Sequence, residues 1–301
     1  MKIAVFGATS SLGRELVARL LVDGHAVVAI GRDAGRLRDS VRAPVERRVA
    51  DLRHPATLAA TLLDVEMAVS VAHARFVPAL LDALPAGCGR VVLLGSARRF
   101  SRFPDRAAEA VRSAEAALAV SGRSGVMLHP TMIYGWPGDR TVRRILDYLC
   151  HWPGWLPIPV PLPRAGRTLV QPIFAEDVVR ALHMALVRPE AVGDAIVIAG
   201  PEPISIIDLV RTCALAVGRR VFIVPLPQVA LRASIRFAAG LGFKPYLSLS
   251  EIERLIENKH FDVGAMRRRL GIEPVALAEG LDRRNYSDFA TDANVTGRAA
   301  E

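Results

Sequence analysis

Lysine and tyrosine are scarce in this chain of 301 residues. The lysines are Lys2, Lys244 and Lys259, and the tyrosines are Tyr134, Tyr148, Tyr246 and Tyr286. None of these tyrosines stands four positions before a lysine, so no Tyr-x-x-x-Lys pair exists. Cysteine is equally sparse. Cys88, Cys150 and Cys213 are odd in number and widely spaced, which fits buried thiols in a reducing compartment and predicts a cytoplasmic location. The histidines are spread out and the cysteines isolated, so no metal-ligand spacing is present and no metal is expected. No uninterrupted apolar run is long enough to cross a bilayer. The first residues carry one lysine and pass directly into a strand and a glycine turn, which predicts no secretory signal. Internal repeats and low-complexity tracts are also missing.

What remains is the composition of a folded globular protein, 51% hydrophobic and 23% charged, long enough for one large α/β unit or a domain with a smaller cap. The formal charge of +9 is carried almost entirely by arginine, in small clusters at Arg98-Arg99, Arg143-Arg144 and Arg267-Arg268-Arg269. No basic stripe interleaved with aromatics accompanies them, so no nucleic-acid partner is expected and the clusters read as solvated helix faces. The segment 229–241, with Arg232 and Arg236 among apolar residues, reads as a helix over a second lobe rather than a membrane-surface element.

Apolar runs alternate with helical spacing through the first half. The pattern predicts strands at Lys2–Phe6, Ala26–Ile30, Glu46–Ala50, Met67–Ala72, Arg90–Leu94 and Gly125–His129, and a later one at Ala195–Ala199. Helices are expected after Ser11 and over Pro55–Leu63, Val77–Leu84, Asp105–Val120 and Glu176–Leu186. Strand–helix–strand units of this length predict an α/β fold, a doubly wound parallel sheet of Rossmann type with a smaller, mainly helical second lobe. Prolines 137, 153, 157, 159, 161 and 163 argue against regular helix or central strand between Trp136 and Arg167. Ser205 and Ser250 each read as a helix N-cap followed by acidic residues. The expected division is a dinucleotide-binding domain at 1–135 plus 168–200, a cap lobe at 136–167 plus 201–284, and a frayed tail at 285–301.

In such a sheet, ligands sit beyond the carboxyl ends of the strands. Gly7-Ala8-Thr9-Ser10-Ser11-Leu12-Gly13 follows a strand and opens a helix, where backbone N–H groups can cradle a pyrophosphate. The middle glycine of the usual fingerprint is replaced by Ser10 or Ser11. Arg32, just past the second strand, suits a ribose 2′-phosphate and favours NADP; Asp33 beside it keeps NAD as the alternative. Asp51 reads as an acceptor for the adenine amino group with Leu52 against the ring, or equally as a helix cap before Pro55. His73, Ser96, His129, Pro130 and Thr131 complete the converging strand ends.

These residues resemble the extended and atypical short-chain dehydrogenase/reductases, the NAD-dependent epimerase/dehydratase group. Leu93-Leu94-Gly95-Ser96, His129-Pro130-Thr131-Met132-Ile133-Tyr134-Gly135, Gln171-Pro172-Ile173-Phe174-Ala175-Glu176-Asp177-Val178 and Leu270-Gly271-Ile272-Glu273-Pro274 carry the likeness alongside the opening loop. The resemblance implies that Ser96 orients a substrate near the nicotinamide and that Pro130 and Thr131 lie against it. It also implies a tyrosine and a lysine where this chain has Ala107 and Val111, aligned on Glu115. His73, His129 and Tyr134 are the substitutes for the missing proton donor. Two outcomes stay open: an oxidoreductase or epimerase-like enzyme acting on a small or nucleotide-linked substrate, and a non-catalytic NADP(H)-holding sensor or accessory subunit. The second would have a protein partner or a homo-oligomeric state.

Overall fold

The computed structural model describes residues 1–42, 44–103, 105–139, 141–153, 155–227 and 257–284. The expected helix start at Ser250, the segment 229–241 and the tail from 285 lie outside the described residues. Seven strands form the central sheet: β1 (Lys2–Phe6), β2 (Ala26–Gly31), β3 (Glu46–Val49), β4 (Met67–Ser70), β5 (Arg90–Leu94), β6 (Gly125–Pro130) and Ile196–Ile198. Every pairing in it is parallel, and the last strand lies on the outer side of β6. β1 is central, with β2 and β3 to one side and β4, β5 and β6 to the other. The order reverses between β1 and β4, so the loops leaving these two strands diverge and open a crevice at their carboxyl ends.

Alternation along β1 decides the layers. Ile3 and Val5 face one core with Leu16, Leu20 and Leu182, while Ala4 and Phe6 face another with Leu80, Val111 and Leu118. The first core is roofed by α1 (Ser11–Val22) and the helix Ala175–Val187; the second by α3 (Pro55–Ala60), α4 (Val77–Ala83) and α5 (Arg106–Val120). Each fully buried leucine contributes about 1.5–3 kcal/mol of transfer free energy. α2 (Ala34–Ser40) buries only Leu37, which is why its sequence shows no stripe. The edge strand β3 is Glu-Arg-Arg-Val, a charged edge that discourages pairing with a second sheet.

One expectation is corrected between the prolines. α6 (Val142–Cys150) forms in the interval from Pro137 to Pro153, burying Val142, Leu146 and Leu149. Strand Ile158–Pro163 also forms, pairing in parallel with Val221–Leu226 as a two-stranded sheet. Its prolines 159, 161 and 163 alternate, so the residues lacking an N–H fall along one edge and the pairing edge keeps its donors. α7 (Ala175–Val187) then returns to the main sheet, and α8 (Ile206–Ala216) begins at the Ser205 cap, whose hydroxyl accepts from the Asp208 N–H. α9 (Leu277–Arg283) joins α6 and α8 around Tyr134, Leu209 and Cys213 in a third core. Asp177, fully buried in the first turn of α7, ties this end down by accepting from the Val275 N–H at 2.7 Å. Cys88, Cys150 and Cys213 are all buried free thiols.

Two arginines bind more than one carbonyl each. Arg123 donates to Leu81, Leu84 and Pro85, and Arg90 to Leu186 and Arg188. Both therefore close chain ends that helix geometry leaves unpaired.

Candidate functional site

The loop after β1 is built around two glycines. Gly7 takes φ +80°, and a Cβ there would stand 2.9 Å from Val71 Cγ2 and 3.2 Å from the Ala72 nitrogen. A Cβ on Gly13 would lie 2.3 Å from the Gly7 carbonyl oxygen, so only glycine lets α1 sit this close to the loop. Ser10 is the N-cap, its Oγ accepting from the Gly13 N–H at 3.1 Å. The serine in place of the middle glycine thus stabilises the helix start. First-turn N–H groups of Ser11 and Leu12 have no carbonyl four residues back within the helix and point out of its end. Arg14, unnoticed in the sequence because it follows the motif, donates to the Thr9 carbonyl at 2.8 Å and to Ser11 Oγ at 3.2 Å. A guanidinium is therefore fixed beside the cradle. Leu12 is buried beneath it in the first core.

At the tip of β2, Asp33 caps α2, its Oδ1 accepting from the Arg36 N–H at 2.7 Å. Arg32 is exposed and makes no hydrogen bond or ion pair among the described residues. At the tip of β3, the helix-cap reading of Asp51 is corrected: His54 is the N-cap of α3, with no side-chain cap bond. The Asp51 carboxylate instead accepts from the backbone and guanidinium of Arg53, which together hold it down to about 2. Leu52 packs on the second core. Beyond β4, His73 is exposed and its Nδ1 accepts from the Arg75 N–H at 3.2 Å.

β5 and β6 meet at the crevice floor. Ser96 donates its N–H to His129 Nδ1 at 3.3 Å, and its Oγ accepts from the Arg98 N–H at 3.2 Å. Gly95 makes room for this, since a Cβ there would sit 2.5 Å from His129 Nδ1. His129 has no exposure, and an accepting Nδ1 leaves its proton on Nε2, 3.6 Å from Glu115 Oε2. Burial pushes this imidazole down to about 4; Arg99 adds to the shift and Glu115 opposes it. Glu115 itself is engaged by the Arg99 guanidinium. As a proton donor His129 is corrected: it is sealed from the crevice and held neutral. Ala107, Val111 and Glu115 share one face of α5 at four-residue spacing.

Pro130 is buried at the end of β6, and Thr131 donates its N–H to Ile198 O at 3.1 Å and its hydroxyl to Gln171 O at 2.5 Å. Gln171 then binds both polar groups of Phe261, and Glu257 accepts from Ser101 Oγ and the Arg102 N–H, each at 2.7 Å. A strap from Glu257 to Phe261 therefore runs beside the β5 exit, with Phe100 packed between Phe261 and His129. Neither end of this strap has a local sequence signal. Tyr134 as a proton donor is also corrected. It is fully buried, its hydroxyl donates to Ala276 O at 3.3 Å, and a Cβ on Gly280 would reach that hydroxyl at 2.1 Å.

No family model matches the chain. An uncharacterized protein of Mycobacterium tuberculosis is 28% identical over 292 residues, which is 93% of this chain and 29% of that protein. The chain thus spans under a third of the curated relatives it matches, a Mycobacterium bovis protein with the same identity included. Among solved structures, UDP-glucose 4-epimerase of Thermotoga maritima with UDP-glucose is 15% identical at TM-score 0.71, covering 97% of this chain and 99% of that one. MoeE5 in complex with UDP-glucose and NAD is 19% identical at TM-score 0.70, covering 97% and 99%. A short-chain dehydrogenase/reductase superfamily protein of Agrobacterium tumefaciens with bound NAD is 16% identical at TM-score 0.70, covering 100% of both chains. The chain shares the fold of these three solved structures over nearly its whole length.

Proposed function

We propose that this chain binds NADP(H) along the carboxyl edge of its sheet and holds it as a sensing or assembly element, without tyrosine-dependent proton transfer. The fit to a dinucleotide rests on the Gly7–Gly13 turn, whose glycines let α1 and Val71–Ala72 pack close against the loop that leaves β1. Gly7, Thr9, Ser10, Ser11, Leu12 and Gly13 surround the diphosphate, with Arg14 adding positive charge. Arg32 takes the 2′-phosphate, because Asp33 is committed to its helix cap and Arg32 has no partner among the described residues. With Asp51 held by Arg53, the adenine contact falls to Leu52. His73, Ser96, Pro130 and Thr131 lie toward the nicotinamide half. Such a cofactor, when bound, supplies or accepts a hydride.

The observation that carries the storage reading is the α5 face beside the floor. It offers Ala107 and Val111, then a Glu115 already engaged by Arg99. Alanine and valine move no proton. The test is calorimetry with oxidised and reduced pyridine nucleotides, followed by a turnover panel of carbonyls and nucleotide sugars. NADPH should bind and no substrate should oxidise it. Absence of heat with every pyridine nucleotide would remove the binding site itself.

A second reading, an oxidoreductase or epimerase-like enzyme for a nucleotide-linked substrate, is favoured by one feature. An open surface hollow of about 550 Å³ is lined by Arg164, Arg167 and Pro225–Pro227, and arginines beside it suit a substrate phosphate. Substrate-dependent oxidation of NADPH in the same panel would select this reading.

A further inference from the structure

Far from the crevice, the fold assembles a group of side chains that the sequence kept apart. Asp23 and His25 flank Gly24 in the turn between α1 and β2, and His183 lies on α7. One ligand atom from each residue lies within 4.8 Å of the others. His25 precedes β2, so the group sits at the amino ends of the strands, opposite the Gly7 loop.

Two independent features mark it as more than a surface cluster. His183 is only 8% exposed on α7, and its Nδ1 makes no hydrogen bond. Its Nε2 faces the Asp23 carboxylate, with Oδ2 at 2.5 Å. A buried Nδ1 left unpaired costs about 1–3 kcal/mol unless something else satisfies it. The turn facing it is also fixed in place. Asp23 N–H donates to Arg19 O at 3.2 Å, Gly24 N–H to Leu21 O at 3.0 Å and His25 N–H to Leu20 O at 3.0 Å. Gly24 takes φ +77° with nothing within 4 Å of a Cβ, so the turn itself is open to solvent.

We infer that Asp23, His25 and His183 form a binding site for a divalent transition-metal ion of the zinc class, which clasps the end of α1 to α7. Two imidazoles and a carboxylate are the donor set of such an ion, with a water in the fourth tetrahedral position. Magnesium and calcium, which take oxygen ligands, do not match it. Because the group lies away from the strand tips, the ion is structural and takes no part at the nucleotide.

The experiment uses the full chain after treatment with a chelator, titrated calorimetrically with zinc chloride and with magnesium chloride. Zinc should bind at a single site and raise the thermal unfolding midpoint, while magnesium does neither. His25→Ala changes a half-buried turn residue and should leave far-UV dichroism intact while weakening zinc by about tenfold or more. Asp23→Asn should do the same, and His151→Ala, an exposed site elsewhere, should change nothing. Cobalt(II) added to the chelated protein should show the visible bands of a four-coordinate ion, lost in His25→Ala. Failure to bind micromolar zinc overturns the assignment. So does equal zinc affinity in wild type, His25→Ala and Asp23→Asn.

Discussion

Replacing Arg32 with alanine separates recognition of the 2′-phosphate from everything else the chain does. The side chain is exposed and has no partner among the described residues, so its removal should change folding stability by less than about 0.5 kcal/mol. A guanidinium on a phosphate makes charge-assisted hydrogen bonds worth about 1.5–3 kcal/mol. At about 1.4 kcal/mol per tenfold, that loss weakens NADPH by roughly 10- to 100-fold. NADH lacks the phosphate and should keep its affinity within about twofold. Calorimetric titration of wild type and Arg32→Ala with both nucleotides gives the four constants needed. Repeating it in high salt adds a second check, because an exposed ion pair is screened and the NADPH advantage of wild type should shrink. Equal losses for NADPH and NADH, or no loss for either, would refute the role of Arg32.

The cradle and the buried imidazole give two further tests. Gly13→Ala places a Cβ 2.3 Å from the Gly7 carbonyl and 2.9 Å from Ala8 Cα, both backbone atoms. It should cost at least about 1–3 kcal/mol in urea unfolding and abolish nucleotide binding, and wild-type affinity in this variant would remove the cradle from the site. Burial pushes His129 from its ordinary value near 6.5 down to about 4, so between these the unfolded chain should take up a proton that the folded chain refuses. Its contribution is fully present above about pH 6.5 and declines as pH falls, by up to about 3 kcal/mol near pH 4. Urea unfolding at several pH values should therefore show a shallower slope between pH 6.5 and 4.5 in His129→Gln than in wild type. Parallel slopes would contradict the buried, neutral state.

The sheet was legible because every strand but the charged edge β3 is a short apolar run ended by glycine or a polar residue. β1 and β5 have the bounds their patterns suggest, and β4 ends at Ser70, two residues short of its pattern. α6 was hidden because the prolines on either side of it dominate the reading, although Val142, Leu146 and Leu149 carry helical spacing. α2 was hidden because one leucine makes no stripe. The strand tips were equally readable, since each follows its strand directly. Their partners were not. Glu115 beside His129, Ala276 over Tyr134 and His183 against Asp23 are all set by packing between distant elements, for which local periodicity carries no information.

The sealed histidine and the apolar face of α5 belong to one arrangement, and it narrows where a proton could come from. Thr131 donates its hydroxyl to Gln171, Tyr134 donates to Ala276, and His129 has no path to solvent. Ser96 keeps a hydroxyl hydrogen to give, but an ordinary serine is too weak an acid to protonate an oxyanion near neutral pH. His73 differs from all of these. It is exposed at the neighbouring β4 tip, and its Nδ1 accepts from Arg75, which places the proton on Nε2. If the panel of carbonyls and nucleotide sugars does reveal turnover, His73→Gln should lower kcat by about 100-fold or more while leaving NADPH affinity intact. His129→Gln should change kcat far less than it changes stability. Turnover that survives in His73→Gln and disappears in a folded His129→Gln would show that the buried imidazole reaches the substrate after all, and the closed reading of the crevice floor would fall.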